Sequence, residues 1–573
     1  MSDEPKNPSS PKPELSTETR LLLAFALMGL VLFATPYFFK SVAPPTAVKK
    51  APAAQQQKAA AATPATPVAP AETSPTEEPA TPAAHVAGQK EDTFVVDTDL
   101  YKVVFSNRGA VVQQWILKKY TDDGGKPLEL VNTAAAQKAG YPFDLVFDQK
   151  KPATDLNSAL FAAKPDADGL GITYEYSDGS VTARKAFRFR KNQYVTQVST
   201  EVRENGTAVP HQITWRGGFG DPSSGPAAQR TISLDLTNSK LIAHGVKDAK
   251  NGPVAAEGNY AFAGVEDTYF TAAFLPATPG PVKLVTFSDT VVTAADAKEQ
   301  PRVGAGVASG VRNDFAVFVG PKDIDILTKV NPQLARIVDF GWFSFLAKPL
   351  FLVLHFVNER WLNNYGWAII VVTIIINFLL FPLKLTNLKS MKKMQALQPQ
   401  IAAINEKYKG ISMRDPRAQQ KNEETMALYK KHGANPMGGC LPMAIQMPFF
   451  IAFYKVLVVS IDLRHANWLW VSDLSAPEHL AIRILPIAMI ATQFVMQKMT
   501  PSTAADPNQQ KMMLMMPLVM GFIFYGLPSG LVLYYCTSNL VGIAQQVFFN
   551  KTVTIADLPL PPPVKKQNGR SKR

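Results

Sequence analysis

The stretch VVTIIINFLLFPLKL, residues 371–385, has the composition of a membrane span but carries an amide side chain, Asn377, near its centre. Hydrocarbon offers no water to polar groups, so such a run forms a helix whose polar side chains need protein partners or a hydrated cavity. Thr373, Asn377 and Lys384 are separated by four and seven residues, which places them on one face of that helix. The stretch therefore predicts a membrane helix with one polar face.

Further long runs poor in charge occur at residues 21–39, 441–460, 484–497 and 512–549, and the last is long enough for two crossings. Together with the opening stretch they predict six transmembrane helices. The first run has 19 residues, which exceeds the usual apolar core of a cleaved signal peptide. It favours an uncleaved signal anchor, with a cleaved signal peptide as the alternative.

The distribution of basic residues predicts the orientation of these helices. Residues 384–438 carry 11 Lys/Arg against 4 Asp/Glu, and residues 551–573 carry 6 against 1, so they account for +12 of the net charge of +13. Cytoplasmic segments are enriched in Lys and Arg, so both segments are expected in the cytoplasm. Residues 461–480, with one Arg and three acids, then face the other side. Both termini are cytoplasmic in this scheme, and residues 40 to about 350 are exported.

The exported part has two sections. Residues 41–90 contain 16 Ala and 9 Pro and predict a flexible linker. Residues 91–330 show period-two alternation, as in YKVVFSNRGAVVQQWIL and KAFRFRKNQYVTQVSTEV, separated by turn signals, and predict a large antiparallel β-sandwich. The chain contains no GxSxG, HExxH or phosphate-loop motif. A sugar-active enzyme is the alternative for the sandwich, because that fold hosts many functions.

Two helical regions flank the opening stretch. Residues 335–362 mix aromatic residues with scattered charges, which is typical of a helix in the headgroup layer. Residues 385–438 have apolar residues every three or four positions in two runs, and they predict a cytoplasmic helical hairpin whose first arm Pro399 kinks.

Polar residues and methionines recur in the other predicted spans. Because buried polar groups need partners, the amides and hydroxyls should converge, either as a hydrophilic groove or as hydrogen bonds that hold the bundle together. Of the 17 methionines, 15 lie at or after residue 391, which suits a surface that receives varied apolar segments or ordinary lipid-facing packing. The polar residues concerned are Gln446, Gln493, Ser538, Asn539, Gln545 and Gln546.

Three segments in this order and spacing resemble the YidC membrane-protein insertases of Gram-negative bacteria: NPMGGCLPMAIQMPFFIAFY (435–454), ILPIAMIATQFVMQKMTPSTAADPNQQKMM (484–513) and LPSGLVLYYCTSNLVGIAQQ (527–546). The resemblance implies a non-enzymatic insertase and chaperone of the inner membrane that needs no nucleotide or metal. Five of the six spans would form its core, and its periplasmic domain would be a β-supersandwich. Nascent membrane proteins would be the substrates. The Sec translocon would be a partner, and hairpin 385–438 and tail 551–573 would bind the ribosome and targeting machinery.

The resemblance also implies a site. The expected groove residues are Thr373, Asn377, Lys384, Gln446 and Ser538, and the expected face for apolar substrate segments is Met447, Met516, Tyr534 and Tyr535. The chain departs from the family at one position, because the family's groove arginine falls on Asn377. Lys384, two turns away, is the candidate for a replacement charge. The alternative function is a multispan solute transporter with a periplasmic binding domain, although the sequence shows neither paired intramembrane charges nor an inverted repeat.

These patterns divide the chain into successive segments. They are a cytoplasmic N-terminus (1–20), a signal anchor (21–39), the linker (40–90), the periplasmic β-sandwich (91–330), the interfacial helix region (335–362), transmembrane helix 2 (363–384), the hairpin (385–438), transmembrane helices 3–6 (439–550) and a basic cytoplasmic tail (551–573).

Overall fold

The computed structural model describes residues 85–148, 150–222, 225–292, 299–408, 415–432, 441–499 and 507–553. The predicted signal anchor, the linker before residue 85 and the basic tail from residue 554 lie outside the described residues.

The first part of the described chain is built from antiparallel sheets. Its strands are β1 (Thr93–Asp97), β2 (Tyr101–Ser106), β3 (Val111–Thr121), β4 (Pro127–Glu129), β5 (Asp144–Val146), β6 (Ala162–Pro165), β7 (Gly171–Ser177), β8 (Val181–Phe189), β9 (Val195–Glu204), β10 (Thr207–Ala208), β11 (Gln212–Trp215), β12 (Arg230–Asp235), β13 (Lys240–Gly245), β14 (Val254–Gly258), β15 (Tyr260–Glu266), β16 (Phe270–Pro276), β17 (Val282–Val291), β18 (Gln300–Ala308) and β19 (Asn313–Pro321). They form three sheets, ordered β1-β2-β3-β4, β13-β12-β15-β16-β19-β9-β8-β7-β6 with β10 beside β9, and β14-β17-β18-β11-β5. The predicted large antiparallel sandwich is confirmed.

Alternation along β8 shows why these residues form a half-buried strand. Phe187 and Phe189 are buried while Arg188 is exposed, as the period of two requires. Aromatic rings then join the sheets: Phe105 of the first sheet lies 4.9 Å from Phe187 of the second, and Trp115 lies 6.2 Å from Trp215 of the third. The core of this domain is the space between the sheets.

Most α-helices of the described chain follow the β-rich part. The helices are α1 (Thr133–Ala139), α2 (Ile324–Val330), α3 (Ser344–Val357), α4 (Tyr365–Leu379), α5 (Phe381–Ala396), α6 (Gln398–Lys407), α7 (Pro416–Lys431), α8 (Leu441–Val459), α9 (Ile484–Met499), α10 (Pro507–Phe524) and α11 (Ser529–Thr552). Only α1 and α2 belong to the β-rich part.

The lengths of the apolar helices do not establish the predicted six spans. Within the described residues, one continuous helical stretch, Gly341–Leu362, is long and apolar enough to cross a membrane, and α4 with α5 passes the same test as a pair bent by 58°. Shorter apolar helical segments are Gln446–Val459, Ile484–Met499 and Leu514–Phe524. The interfacial position expected for residues 335–362 stays a prediction. Two tryptophans of this region have the exposed rings that such a position requires: Trp342 is 86% exposed and Trp361 is 66% exposed.

Prolines set the two breaks after α4. Leu380 separates α4 from α5, and Pro382 occupies the first turn of α5. Leu397 similarly precedes α6, where Pro399 lies in the first turn, so the interruption falls beside the proline named from the sequence. Proline has no N–H to continue a helix and disfavours helical geometry in the preceding residue. The bend at Leu380 turns α5 away from the axis of α4.

A small separate core joins α5, α6 and α7. Its buried members are Met391, Met394, Leu397 and Ile401, and Leu428 and Tyr429 of α7 pack against them. The chain between α6 and α7 includes residues 409–414, which lie outside the described residues. The cytoplasmic hairpin expected for residues 385–438 stays a prediction; α6 and α7, which lie within that range, pack together through this core.

Candidate functional site

Asn377 is the centre of a hydrogen-bond network between α4, α5 and α11. Its Nδ2 donates to the Thr373 carbonyl oxygen at 2.8 Å, while its Oδ1 accepts from Lys384 Nζ at 2.6 Å and from Ser538 Oγ at 3.4 Å. Gln545 Nε2 donates to the Asn377 carbonyl oxygen at 3.1 Å. One amide thus uses both ends of its side chain and contacts two neighbouring helices, which satisfies the requirement for buried polar groups.

The network continues to α8 and around Lys384. Gln446 Nε2 donates to Ser538 Oγ at 3.1 Å, and Lys384 Nζ lies 3.5 Å from Gln545 Oε1. Within the part of the chain that the structure describes, no Asp or Glu forms an ion pair with Lys384; its ammonium contacts neutral amide oxygens. The network therefore carries a positive charge without a paired carboxylate.

Of the network residues, Asn377, Lys384, Gln446 and Ser538 line an open groove between α4, α5, α8 and α11. Its polar lining consists of side chains that donate or accept hydrogen bonds, and its remaining lining is aliphatic or aromatic. The lining residues are Ile376, Asn377, Leu380, Leu383, Lys384, Asn387, Gln446, Phe449, Tyr534 and Ser538. The groove therefore offers both hydrogen-bonding groups and apolar surface to a segment that enters it.

Asn387 is a groove residue that sequence reasoning missed. It is only 4% exposed, and both its Oδ1 and its Nδ2 are buried without a hydrogen-bond partner among the described residues. It follows Lys384 by three residues in α5, so the two share a helix face. That spacing was the available signal, but a polar residue in a basic amphipathic helix also suits a solvated position.

The other predicted site residues occupy different places. Thr373 is fully buried below the groove, and its hydroxyl donates to the Ile369 carbonyl oxygen at 2.6 Å. Tyr534 lines the groove and stacks on Phe453, with ring centroids 4.4 Å apart. Tyr535 packs instead against Phe524, and neither it nor Met447 nor Met516 is among the groove-lining residues.

Not all of the polar span residues converge. Asn539 Nδ2 donates to Thr492 Oγ1 at 3.2 Å, and Gln546 Nε2 donates to Asn550 Oδ1 within α11 at 3.3 Å. Gln493 Oε1 is buried and has no hydrogen-bond partner within the part of the chain that the structure describes. Local hydrogen bonds between or within helices, the alternative to a groove, therefore apply to Asn539 and Gln546.

The groove offers hydrogen-bonding groups and one ammonium group rather than a reactive constellation. Among the described residues, no group of three His, Cys, Asp or Glu is placed to hold a metal ion. The amides, hydroxyl and ammonium can solvate polar chain segments inside an otherwise apolar bundle.

In comparison with known proteins, two protein families match successive parts of this chain. The family described as 60Kd inner membrane protein matches residues 357–556, and the family described as YidC periplasmic domain matches residues 93–353. A relative from Geotalea daltonii named "Membrane protein insertase YidC" is 35% identical over 560 residues, covering 94% of this chain and 99% of the relative. A relative of the same name from Syntrophus aciditrophicus is 34% identical, covering 93% of this chain and 99% of the relative.

A solved structure is also similar. It is described as "Active YidC insertase crystal structure with the first transmembrane domain resolved", with 20% identity, a TM-score of 0.35, and coverage of 80% of this chain and 93% of the other.

Proposed function

Because this chain belongs to the YidC family of membrane protein insertases, we propose that it receives nascent membrane proteins in the groove around Asn377 and releases them into the bilayer. It is a non-enzymatic inner-membrane protein with a periplasmic domain. The transporter alternative has no support, because relatives matched over almost the whole chain are insertases. We refer to the sandwich, residues 91–330, as the periplasmic domain from here on.

The observation that carries the groove proposal is the shared network on Asn377. Lys384, Ser538 and Gln545 all contact this one residue, and the network opens on a groove whose lining also includes Leu380, Leu383 and Phe449. A polar segment that must cross the bilayer loses its water, and a lining of amides, a hydroxyl and an ammonium group lowers that desolvation cost. The apolar lining residues let a following hydrophobic segment pass sideways into lipid.

In this chain the positive charge of the groove comes from a different position than the groove arginine of the family. Asn377 supplies a neutral floor, and Lys384 supplies the positive charge that Asn377 lacks, directly hydrogen-bonded to it at 2.6 Å. Gln446 and Ser538 extend the polar lining, and Thr373 supports it from below. Met447, Met516, Tyr534 and Tyr535 are proposed to guide apolar segments past the groove.

The proposal extends to topology and partners. Six spans with both termini in the cytoplasm put hairpin 385–438 and tail 551–573 beside the translating ribosome. Their charges of +7 and +5 suit ribosomal RNA, and the hairpin also suits targeting machinery. The same charges serve as positive-inside anchors. Insertion alone or beside the Sec translocon belongs to this proposal.

Site-specific photo-crosslinking tests the groove. A crosslinker at Tyr534 or Met447 should capture a nascent inner-membrane protein on translating ribosomes, whereas one at Phe522, which is 86% exposed on α10, should capture much less. A nascent soluble protein is the substrate control. Absence of capture at both Tyr534 and Met447, in protein that accumulates normally, would refute the proposal.

The same assay sharpens the role of Asn377. Asn377→Leu should reduce capture at Tyr534 more than Asn377→Arg, because the groove needs polarity and hydration first. Full capture and insertion by Asn377→Leu would remove this position from the substrate site while leaving the rest of the groove proposal standing.

A further inference from the structure

Arg464 joins the membrane bundle to the periplasmic domain through a buried ion pair. It lies in the 460–483 loop, which connects α8 to α9. Its Nε and Nη2 both contact Asp221 Oδ2, at 3.0 and 2.5 Å, and the two side chains are only 5% and 1% exposed. Replacing one partner of a buried pair with an uncharged side chain leaves the other charge buried and uncompensated, so this contact is sensitive to substitution of either residue.

The periplasmic domain holds both members of the pair in place. The Arg464 guanidinium lies 5.9 and 5.7 Å from the ring centroids of Tyr269 and Phe270. On the other side, the Asp221 N–H donates to Asp267 Oδ2 at 2.6 Å. The next residue of the loop repeats the pattern, with His465 Nδ1 3.2 Å from Thr121 Oγ1. The loop is thus docked on the domain at two successive residues.

The same loop is hydrogen-bonded to α4 and α11, two of the four helices that line the groove. Asn364, the N-cap of α4, donates from Nδ2 to the Asn467 carbonyl oxygen at 3.0 Å. The Trp468 ring packs so closely on Gly366 that a Cβ there would lie 2.2 Å from it. At the start of α11, the N–H groups of Ser529 and Gly530 donate to the carbonyl oxygens of Ala476 and Leu474, at 2.8 and 2.9 Å.

These contacts form a continuous connection from Asp221 through the loop to α4 and α11. We propose that Arg464 is a positioning residue: by docking the 460–483 loop on the periplasmic domain, it fixes the spacing of the first turns of α4 and α11 and keeps that end of the groove closed. This inference rests on the proposed function, because it takes the groove between α4 and α11 as the substrate site.

Cysteine labelling of the full-length chain tests the positioning role. Ile369 is fully buried on α4, and its Cδ1 would lie 3.4 Å from a Cβ placed at Gly530 of α11, so it reports on the spacing of these helices. In an Ile369→Cys chain with Cys440 replaced by Ser, a membrane-impermeant maleimide added from the periplasmic side should label position 369 slowly. Arg464→Met should accelerate that labelling about tenfold, through easier local opening.

Three comparisons separate positioning from general stability. Native Cys536, buried on α11, should keep its own labelling rate, because only the loop end opens. Arg464→Lys, which retains the charge, should label much more slowly than Arg464→Met. Arg483→Met is the matched control, since the Arg483 guanidinium packs on the Tyr525 ring of the bundle at 4.8 Å and not on the periplasmic domain.

The outcomes are decisive in each direction. Unchanged labelling of position 369 in Arg464→Met, or equal acceleration at Cys536, overturns the positioning role. If Arg464→Met does not accumulate, Asp221→Asn retains the side-chain volume and should still accelerate labelling at 369; no acceleration there overturns the inference equally. Capture of nascent chains at Tyr534 by the parent protein, measured alongside, shows whether the proposed function itself has failed instead.

Discussion

Lys185 of the periplasmic domain and Lys384 of the groove are held by different kinds of hydrogen-bond acceptor. Lys185 in β8 is 0% exposed and donates to three backbone carbonyl oxygens, those of Gly109 at 2.6 Å, Phe143 at 2.7 Å and Ala110 at 3.4 Å. Lys384 is half-buried, and its contacts are the side-chain oxygens of Asn377 and Gln545.

The difference lies in what can move. Backbone carbonyl oxygens are fixed by the fold, so Lys185 is a structural cross-link between a strand and two loops. Side-chain amides can rotate, and their bonds to Lys384 can be exchanged for bonds to a bound segment at little cost. A buried charge held by backbone therefore indicates stability, whereas one held by side chains beside an open groove indicates binding.

The largest predicted effect is on the stability of the periplasmic domain. Lys185→Met should lower its free energy of unfolding by about 3 kcal/mol, because three buried carbonyl oxygens lose their donor together. Hydrogen exchange of β8 and β9 in the full-length protein measures this loss. Lys151→Met, at a lysine whose side chain is 62% exposed, is the control and should change it by less than about 0.5 kcal/mol. A similar small change for Lys185→Met would mean that its backbone contacts add little.

The same substitution in the groove should separate function from stability. Lys384→Met should slow insertion about tenfold, equivalent to ~1.4 kcal/mol, because the groove loses its positive charge and one donor to Asn377 Oδ1. Its effect on the stability of the bundle should be smaller than that of Lys185→Met on the periplasmic domain. Insertion of a model membrane protein into vesicles measures the rate. Lys389→Met, on an exposed face of α5, is the matched control. Insertion at the parental rate would contradict the assignment of Lys384.

Sequence patterns anticipated these two regions unequally. Alternation predicted the strands around Lys185. No sequence pattern singled out this lysine, although it is buried in the same period as Phe187 and Phe189. Helical spacing predicted that Asn377 and Lys384 share a face, and the structure joins them despite the bend at Leu380. Short-range periodicity is sufficient for such relations because the two residues are only seven positions apart.

Long-range pairing could not be predicted in this way. Arg464 and Asp221 are 243 residues apart, and neither local pattern distinguishes them from solvated charges. Asn387 was missed because its burial depends on the helices that pack around α5, and Tyr535 was placed beside Tyr534 although successive residues in a helix point in different directions. The polar helix faces were thus predictable from the sequence. Which residues line the groove depends on how α4, α5, α8 and α11 pack, and the sequence patterns do not give that packing.

The smallest predicted effect concerns a buried carboxylate that, like Lys185, is held by backbone. Asp267 accepts hydrogen bonds from the N–H groups of Asp221, Tyr269 and Phe270, yet burial raises its pKa to about 6. Since the folded-state pKa exceeds that of the unfolded chain, the folded protein binds the proton more tightly and this group adds stability as the pH falls through about 6. Lowering the pH from about 7.5 to about 5 should therefore stabilise the parent relative to Asp267→Asn by about 1 kcal/mol. Hydrogen exchange of β15 and β16, compared between the two proteins at each pH so that intrinsic exchange rates cancel, measures this difference. An identical pH response in parent and variant would show that the three backbone donors fully offset the cost of burying the charge. Asp267 would then contribute no pH dependence to stability, like the neutral amide of Asn377 in the groove.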